Sequence, residues 1–139
     1  MSDRPALLVV DAANVVGSVP DGWWRDRAGA ATRLRDALRP VGGSGLPGVP
    51  APVEVVLVVE GAARDVPSAP GVRVVRAAGS GDDAIVDLLR AERGDRLAAV
   101  VTADRELRRR VAAQGAAVYG PSVLPRWSPR RRSLPDPPP

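Results

Sequence analysis

Five stretches of the chain are dominated by aliphatic residues: Ala6–Val10, Val53–Val59, Val72–Ala77, Leu97–Thr102 and Ala116–Tyr119. Apolar runs of this length that do not alternate with polar residues read as strands covered on both faces, the pattern of a parallel sheet. Between them the spacing changes. Ala28, Ala31, Leu34, Ala37 and Leu38 fall at helical intervals after a loop at Asp21-Gly22-Trp23-Trp24, and Pro40 stops that helix. Gly79-Ser80-Gly81-Asp82-Asp83 opens a second helix running to Arg93, with Ile85, Leu88 and Leu89 inward and Gly94 as its stop. A third spans Asp104–Gln114 and ends at Gly115. Residues Val41–Pro52, rich in Gly and Pro, read as a flexible connection, and Ala62–Ala69 is too short and too rich in Pro for a full helix. The order β-α-β-β-α-β-α-β predicts a three-layer α/β domain with a mainly parallel sheet.

Polar residues punctuate the strand ends in a consistent way. Asp11 and Asn14 follow the first strand, Glu60 the second, Asp82 and Asp83 the third, and Asp104 the fourth. In an open parallel sheet the carboxyl ends of the strands share one edge, so acids distant in sequence meet in one crevice. Carboxylates gathered there repel one another unless a divalent cation offsets their charge. A metal site is the first expectation.

The absences narrow the chemistry. The chain of 139 residues has no Cys and no His, and all 20 of its basic residues are Arg. Thiol and imidazole catalysis, Schiff-base chemistry and His/Cys zinc sites are thereby excluded, and without Lys there is no P-loop. Asp and Glu remain, hard oxygen ligands suited to Mg²⁺ or Mn²⁺. With 45% hydrophobic residues but only 3% aromatic, the core must be built from Val, Leu and Ala. No disulfide framework, secretory leader or membrane-length apolar segment is evident, which points to a cytoplasmic protein away from membranes.

Charge divides the chain unevenly. Residues 125–139 carry Arg126, Arg130, Arg131 and Arg132 against Asp136, a net +3 of the chain's total +4. The reading is therefore one domain over residues 1–124, nearly neutral, and a basic, Pro-rich tail over 125–139 expected to be disordered. A basic tail of this kind attracts RNA or ribosomes by counterion release. The sequence carries no signal of oligomeric state.

Taken together, Val-Val-Asp11-Ala-Ala-Asn14, Glu60-Gly-Ala, Gly-Ser-Gly-Asp82-Asp83-Ala-Ile85 and Val-Val-Thr102-Ala-Asp104 resemble the ordered motifs of the YacP-like NYN domains, a branch of the PIN-like nucleases. The resemblance spans roughly residues 6–120. It departs from the family pattern at Ala13, where Tyr is usual, at Val86, where Glu is expected and Asp87 follows one position later, and at Ala103. The resemblance implies a PIN-like sheet of strand order 3-2-1-4-5 and hydrolysis of RNA phosphodiester bonds with Mg²⁺ or Mn²⁺. It places Asp11 and Asp104 across the switch-point crevice, with Asp82 or Asp83 completing a cation site. Asp11, Asp83, Asp104, Asn14 and Thr102 are then the expected catalytic residues, and Asp11, Asp82, Asp83, Asp104 and Glu60 the expected metal ligands.

Each of these residues also has a purely architectural reading. Asp82 and Asp104 stand where helix caps stand, Asp83 favours a helix dipole, and Asp11 and Asn14 suit turns. Thr102 simply ends a strand, and Glu60 reads more as a supporting or solvated acid than as a direct ligand. Arg76, Arg105 and Arg108 are placed to hold substrate phosphates. Trp23 and Trp24 leave the first strand where a base could stack, one of them expected buried and one available. Three functions compete: a metal-dependent ribonuclease, a noncatalytic RNA-binding or regulatory module, and a nucleotide pyrophosphohydrolase. Haloacid dehalogenase phosphatases would require an acid at Ala13, and receiver domains require a Lys.

Overall fold

A computed structural model describes residues 4–19 and 23–127. Five strands, β1 (Ala6–Asp11), β2 (Val53–Val59), β3 (Val72–Arg76), β4 (Ala98–Val101) and β5 (Ala117–Tyr119), form one sheet in the order β3-β2-β1-β4-β5. Every neighbouring pair is parallel, with Val9 of β1 opposite Val56 of β2 and Val100 of β4. This is the predicted strand order, and the sheet is wholly parallel.

Five helices cover the two faces: α1 (Ala12–Gly17), α2 (Arg27–Leu38), α3 (Val41–Ser44), α4 (Gly81–Glu92) and α5 (Arg105–Ala113). The alternation of side chains along β1 explains the layering. Leu8 and Val10 point into one core with Val15, Leu34, Leu38 and Val41 of α1–α3. Leu7 and Val9 point into the other, with Ile85 and Leu89 of α4 and Leu107 and Val111 of α5. Both cores are aliphatic, and their large side chains are fully buried. Each such side chain contributes on the order of 1.5–3 kcal/mol relative to exposure. The chain adds strands outward from β1 to β3, then crosses to the far side of β1 for β4 and β5. The helices change faces at that crossing, so the edge between β1 and β4 is the topological switch point.

Three local features differ from expectation. A six-residue helix, α1, starts directly after β1 where a polar turn was predicted, because Asp11 caps it by accepting from the Asn14 backbone N–H. Segment 41–52 is not loose: Val41 and Val49 are buried, α3 packs against β2, and Leu46 and Val49 exchange backbone hydrogen bonds. The packed domain also runs past residue 124, since Leu124 and the partly buried Trp127 lie against the core. The three predicted stop signals hold: α2 ends just before Pro40, and Gly94 at φ +60° and Gly115 at φ +80° follow α4 and α5 in a conformation glycine adopts without a Cβ clash. Segment 62–69 carries only a short 3₁₀ turn, Gly61–Ala63. Arg130, Arg131 and Arg132 of the basic tail lie outside the described residues. Among the described residues no helix is long and apolar enough to cross a membrane.

Candidate active site

β1 delivers Asp11 to the switch-point edge, flanked by apolar strand on one side and α1 on the other, and its carboxylate is only 5% exposed. A buried carboxylate must find donors. Thr102, fully buried at the end of β4, donates its hydroxyl to Asp11 Oδ2 at 2.9 Å, and the Asn14 backbone N–H approaches Oδ1 at 3.4 Å. The Thr102 oxygen in turn accepts the Asp104 backbone N–H at 3.1 Å. One hydroxyl thus joins the ends of the first and fourth strands. Asn14 adds a second bridge, its side-chain Oδ1 accepting the Ala103 N–H at 2.7 Å. Asp11, Asn14, Thr102 and the 103–104 backbone form one connected unit, as the resemblance implied for Asp11 and Asp104.

Asp104 caps α5, accepting the Leu107 N–H at 2.9 Å on Oδ1. The α4 start is arranged differently. Its cap is Ser80, whose hydroxyl accepts the Asp83 N–H at 3.2 Å, so neither acid of the Gly-Asp-Asp run performs that task. Glu60, one residue past β2, accepts the Gly81 N–H and ties the second strand to the mouth of α4. Asp82 and Asp83 then diverge. Asp83 turns outward to Arg110 of α5, 2.9 Å from its Nη2. Asp82 is partly buried on the side of the acids.

Electrostatics identify which acids share a neighbourhood. Burial pushes the Asp11 carboxyl up to about 6; the Thr102 and Asn14 hydrogen bonds oppose this, and the charges of Asp82 and Glu60 reinforce it. Asp82 is also raised, by burial first and then by Asp104 and Glu60, with Arg110 pulling the other way. Asp83 is lowered, chiefly by its hydrogen bond to Arg110. Asp83 also raises Asp82 as its neighbour but does not act on Asp11, so Asp11, Asp82, Asp104 and Glu60 are the acids linked across the crevice. Of the two acids expected to complete the site, Asp82 is the one whose charge acts on Asp11, while Arg110 pairs with Asp83. Among the described residues no three acids stand close enough to cage an ion unaided.

The remaining sequence candidates scatter. Arg76, at the end of β3, pairs with Asp65 at 3.5 Å and is not directed by any acid of the cluster. Arg105 and Arg108 are exposed on α5, whose start lies at the crevice. Trp24 is 55% exposed, and the side chain of Trp23 lies outside what is described. Val86, at the position of the expected Glu, is buried in the core between sheet and α4, while Asp87 is exposed. Ser80 and Arg110 were missed as organisers of the α4 mouth. Ser80-x-x-Asp83 carried a readable capping signal, whereas the Arg110 pairing depends on α4 meeting α5.

The architecture is a YacP-like α/β fold: a wholly parallel sheet in the order 3-2-1-4-5, with acids gathered at the first and fourth strand ends. A solved structure with this fold is that of Rae1 (YacP) from Bacillus subtilis, a W164L mutant, to which the chain is similar at a TM-score of 0.56 and 18% identity, covering 84% of this chain and 70% of that one. No family model matches the chain, and no curated protein matches it.

Proposed function

We propose that the protein is a metal-dependent ribonuclease. The observation that carries this reading is the gathering of the buried Asp11 with Asp82, Asp104 and Glu60 at the switch-point edge, where burial first and the neighbouring acids second raise Asp11 and Asp82. The fold likeness to Rae1 (YacP) supports it. Such a donor set, all hard oxygen, suits Mg²⁺ or Mn²⁺. Mg²⁺ keeps several waters and is commonly held by one or two carboxylates together with substrate phosphates, so a pair of these acids would suffice. Asp11 and Asp82 are the residues that would hold the cation, with Asp104 and Glu60 shaping the field around it. When bound, the cation offsets charge on the phosphoryl oxygens and acidifies a water molecule.

The chain's own residues do the rest. Thr102 and the Asn14 N–H fix the Asp11 carboxylate, Asn14 and Thr102 fix the loop carrying Asp104, and Glu60 fixes the helix mouth carrying Asp82. Arg105 and Arg108 at the start of α5 supply positive charge for the phosphates of a strand crossing the crevice. The test is cleavage of end-labelled RNA by the full chain with Mn²⁺ or Mg²⁺, against a chelator control and Asp11→Asn. Cleavage that needs the cation and is lost in the variant is expected. Mn²⁺ at about 100 times its Kd should also stabilise the wild type by about 2.7 kcal/mol, and Asp11→Asn should lose that gain.

Burial of Val86 favours a second reading, a noncatalytic RNA-binding module, because the third motif then lacks one carboxylate and the exposed Asp87 does not replace it. RNA binding without cation-dependent cleavage, unchanged by Asp11→Asn, would select it.

A further inference from the structure

A cavity of about 390 Å³ opens between α1, α2 and the turn after β2. Its apolar wall is formed by Ala12, Val16, Ala31 and Ala63, and its polar lining by Arg27 and Glu60. We propose that this cavity is a nucleobase subsite, taking one unstacked base of the RNA strand whose backbone lies at the acids. The inference rests on the nuclease reading for the strand and goes beyond it in assigning where a base is held.

The volume lies within the roughly 300–1,000 Å³ typical of small-molecule sites. Small side chains make the space. Ala13 and Gly79 also line it, and neither carries a side chain large enough to fill the opening. An apolar wall with one guanidinium and one carboxylate suits a flat heteroaromatic ring, which offers its face to the alanines and its edge donors and acceptors to charged groups. Glu60 disfavours an isolated phosphate in the cavity, and a purely apolar ligand would desolvate Glu60 without offering it a donor. Position completes the argument. Ala12 directly follows Asp11, and Glu60 both lines the cavity and acts on the Asp11 charge. A base seated there therefore has its own sugar and phosphate beside the acid cluster.

The experiment is an NMR titration of the full chain, in buffer free of divalent cations, with nucleoside 5′-monophosphates and with ribose 5-phosphate. The nucleotides are expected to shift the amide resonances of Ala13, Ala31 and Gly61, and ribose 5-phosphate is not. A Cβ built at Gly79 meets nothing within 4 Å, so Gly79→Leu narrows the cavity without forcing the backbone. Gly79→Leu and Ala63→Leu, each with an unfolding midpoint close to wild type, should weaken nucleotide binding by at least about tenfold. An equal response to ribose 5-phosphate, no response to any nucleotide, or binding untouched by both filled-cavity variants overturns the subsite. Because cleavage is not read, base binding by a chain that never cuts RNA would overturn the nuclease reading and keep the subsite, and cleavage without base binding would do the reverse.

Discussion

At Asp11, burial and hydrogen bonding act against each other on one carboxyl, and burial wins. Its folded value, about 6, lies above the ordinary aspartate value of 3.8, so the folded state holds the proton more tightly. The associated stability is fully present below the unfolded value and is lost as pH rises through about 6, a change of up to roughly 3 kcal/mol. Asp11→Asn removes the titration. Urea unfolding of both proteins without divalent cations should show the variant gaining on the wild type by up to that amount between about pH 4 and about pH 7.5; a difference independent of pH would contradict it. Thr102→Val probes the same bond from the other side. The two side chains are nearly the same shape, but the variant leaves a buried carboxylate and the Asp104 N–H short of a partner, costing about 2–3 kcal/mol. It should also move the Asp11 titration higher, measurable by carboxyl ¹³C NMR. At this scale the side chains of Asp11, Asn14 and Thr102, singled out from the sequence, meet in one hydrogen-bonded unit, which Asp104 joins through its backbone N–H. What each accepts or donates was not, because Thr102 and Asp11 are 91 positions apart and their bond exists only once β1 and β4 pair.

At the scale of elements, the mouth of α4 decides between two adjacent acids. Successive helical residues point about 100° apart, so only one of Asp82 and Asp83 can lie toward the crevice. Ser80 as cap and Arg110 from α5 fix which. Asp82→Asn should lower cleavage by about two orders of magnitude, the size of a lost electrostatic contribution at a reacting phosphate. Asp83→Asn should leave the rate within about threefold, as expected of an exposed pair, with little change in thermal midpoint. Equal losses in single-turnover assays would return Asp83 to the centre. Long elements were legible because their periodicity repeats: α4 and α5 begin and end within a residue or two of expectation. Short ones were not. Six residues of α1 give too few turns for a period to show, and the packing of Val41 and Val49 hid behind the Gly and Pro around them.

Across the whole molecule, the acid cluster and a network of ion pairs occupy opposite edges of the sheet. At the amino ends of the strands, Arg96 is 3% exposed and bonds Glu54 Oε1 at 2.8 Å, the Pro5 carbonyl and the Glu92 carbonyl, both at 3.2 Å. Arg73 joins the same network, pairing with Glu92 and reaching Glu54 at 3.9 Å. These residues precede β1, begin β2, β3 and β4, or end α4, so the network fixes the strand starts against one another. Removing one partner of a buried pair commonly costs about 3–5 kcal/mol, because the other charge is left without compensation. Here the partly exposed Glu54 and the nearby Arg73 moderate that, and Arg96→Ala should cost about 2–3 kcal/mol. The six residues of β1 hold the acid crevice about 17–20 Å away. If the edges are independent, the variant should unfold at lower urea yet cleave RNA at the wild-type rate below its transition, with the Asp11 titration unmoved. A shifted Asp11 titration in a variant shown to be folded would mean that the strand starts set the register on which the crevice depends.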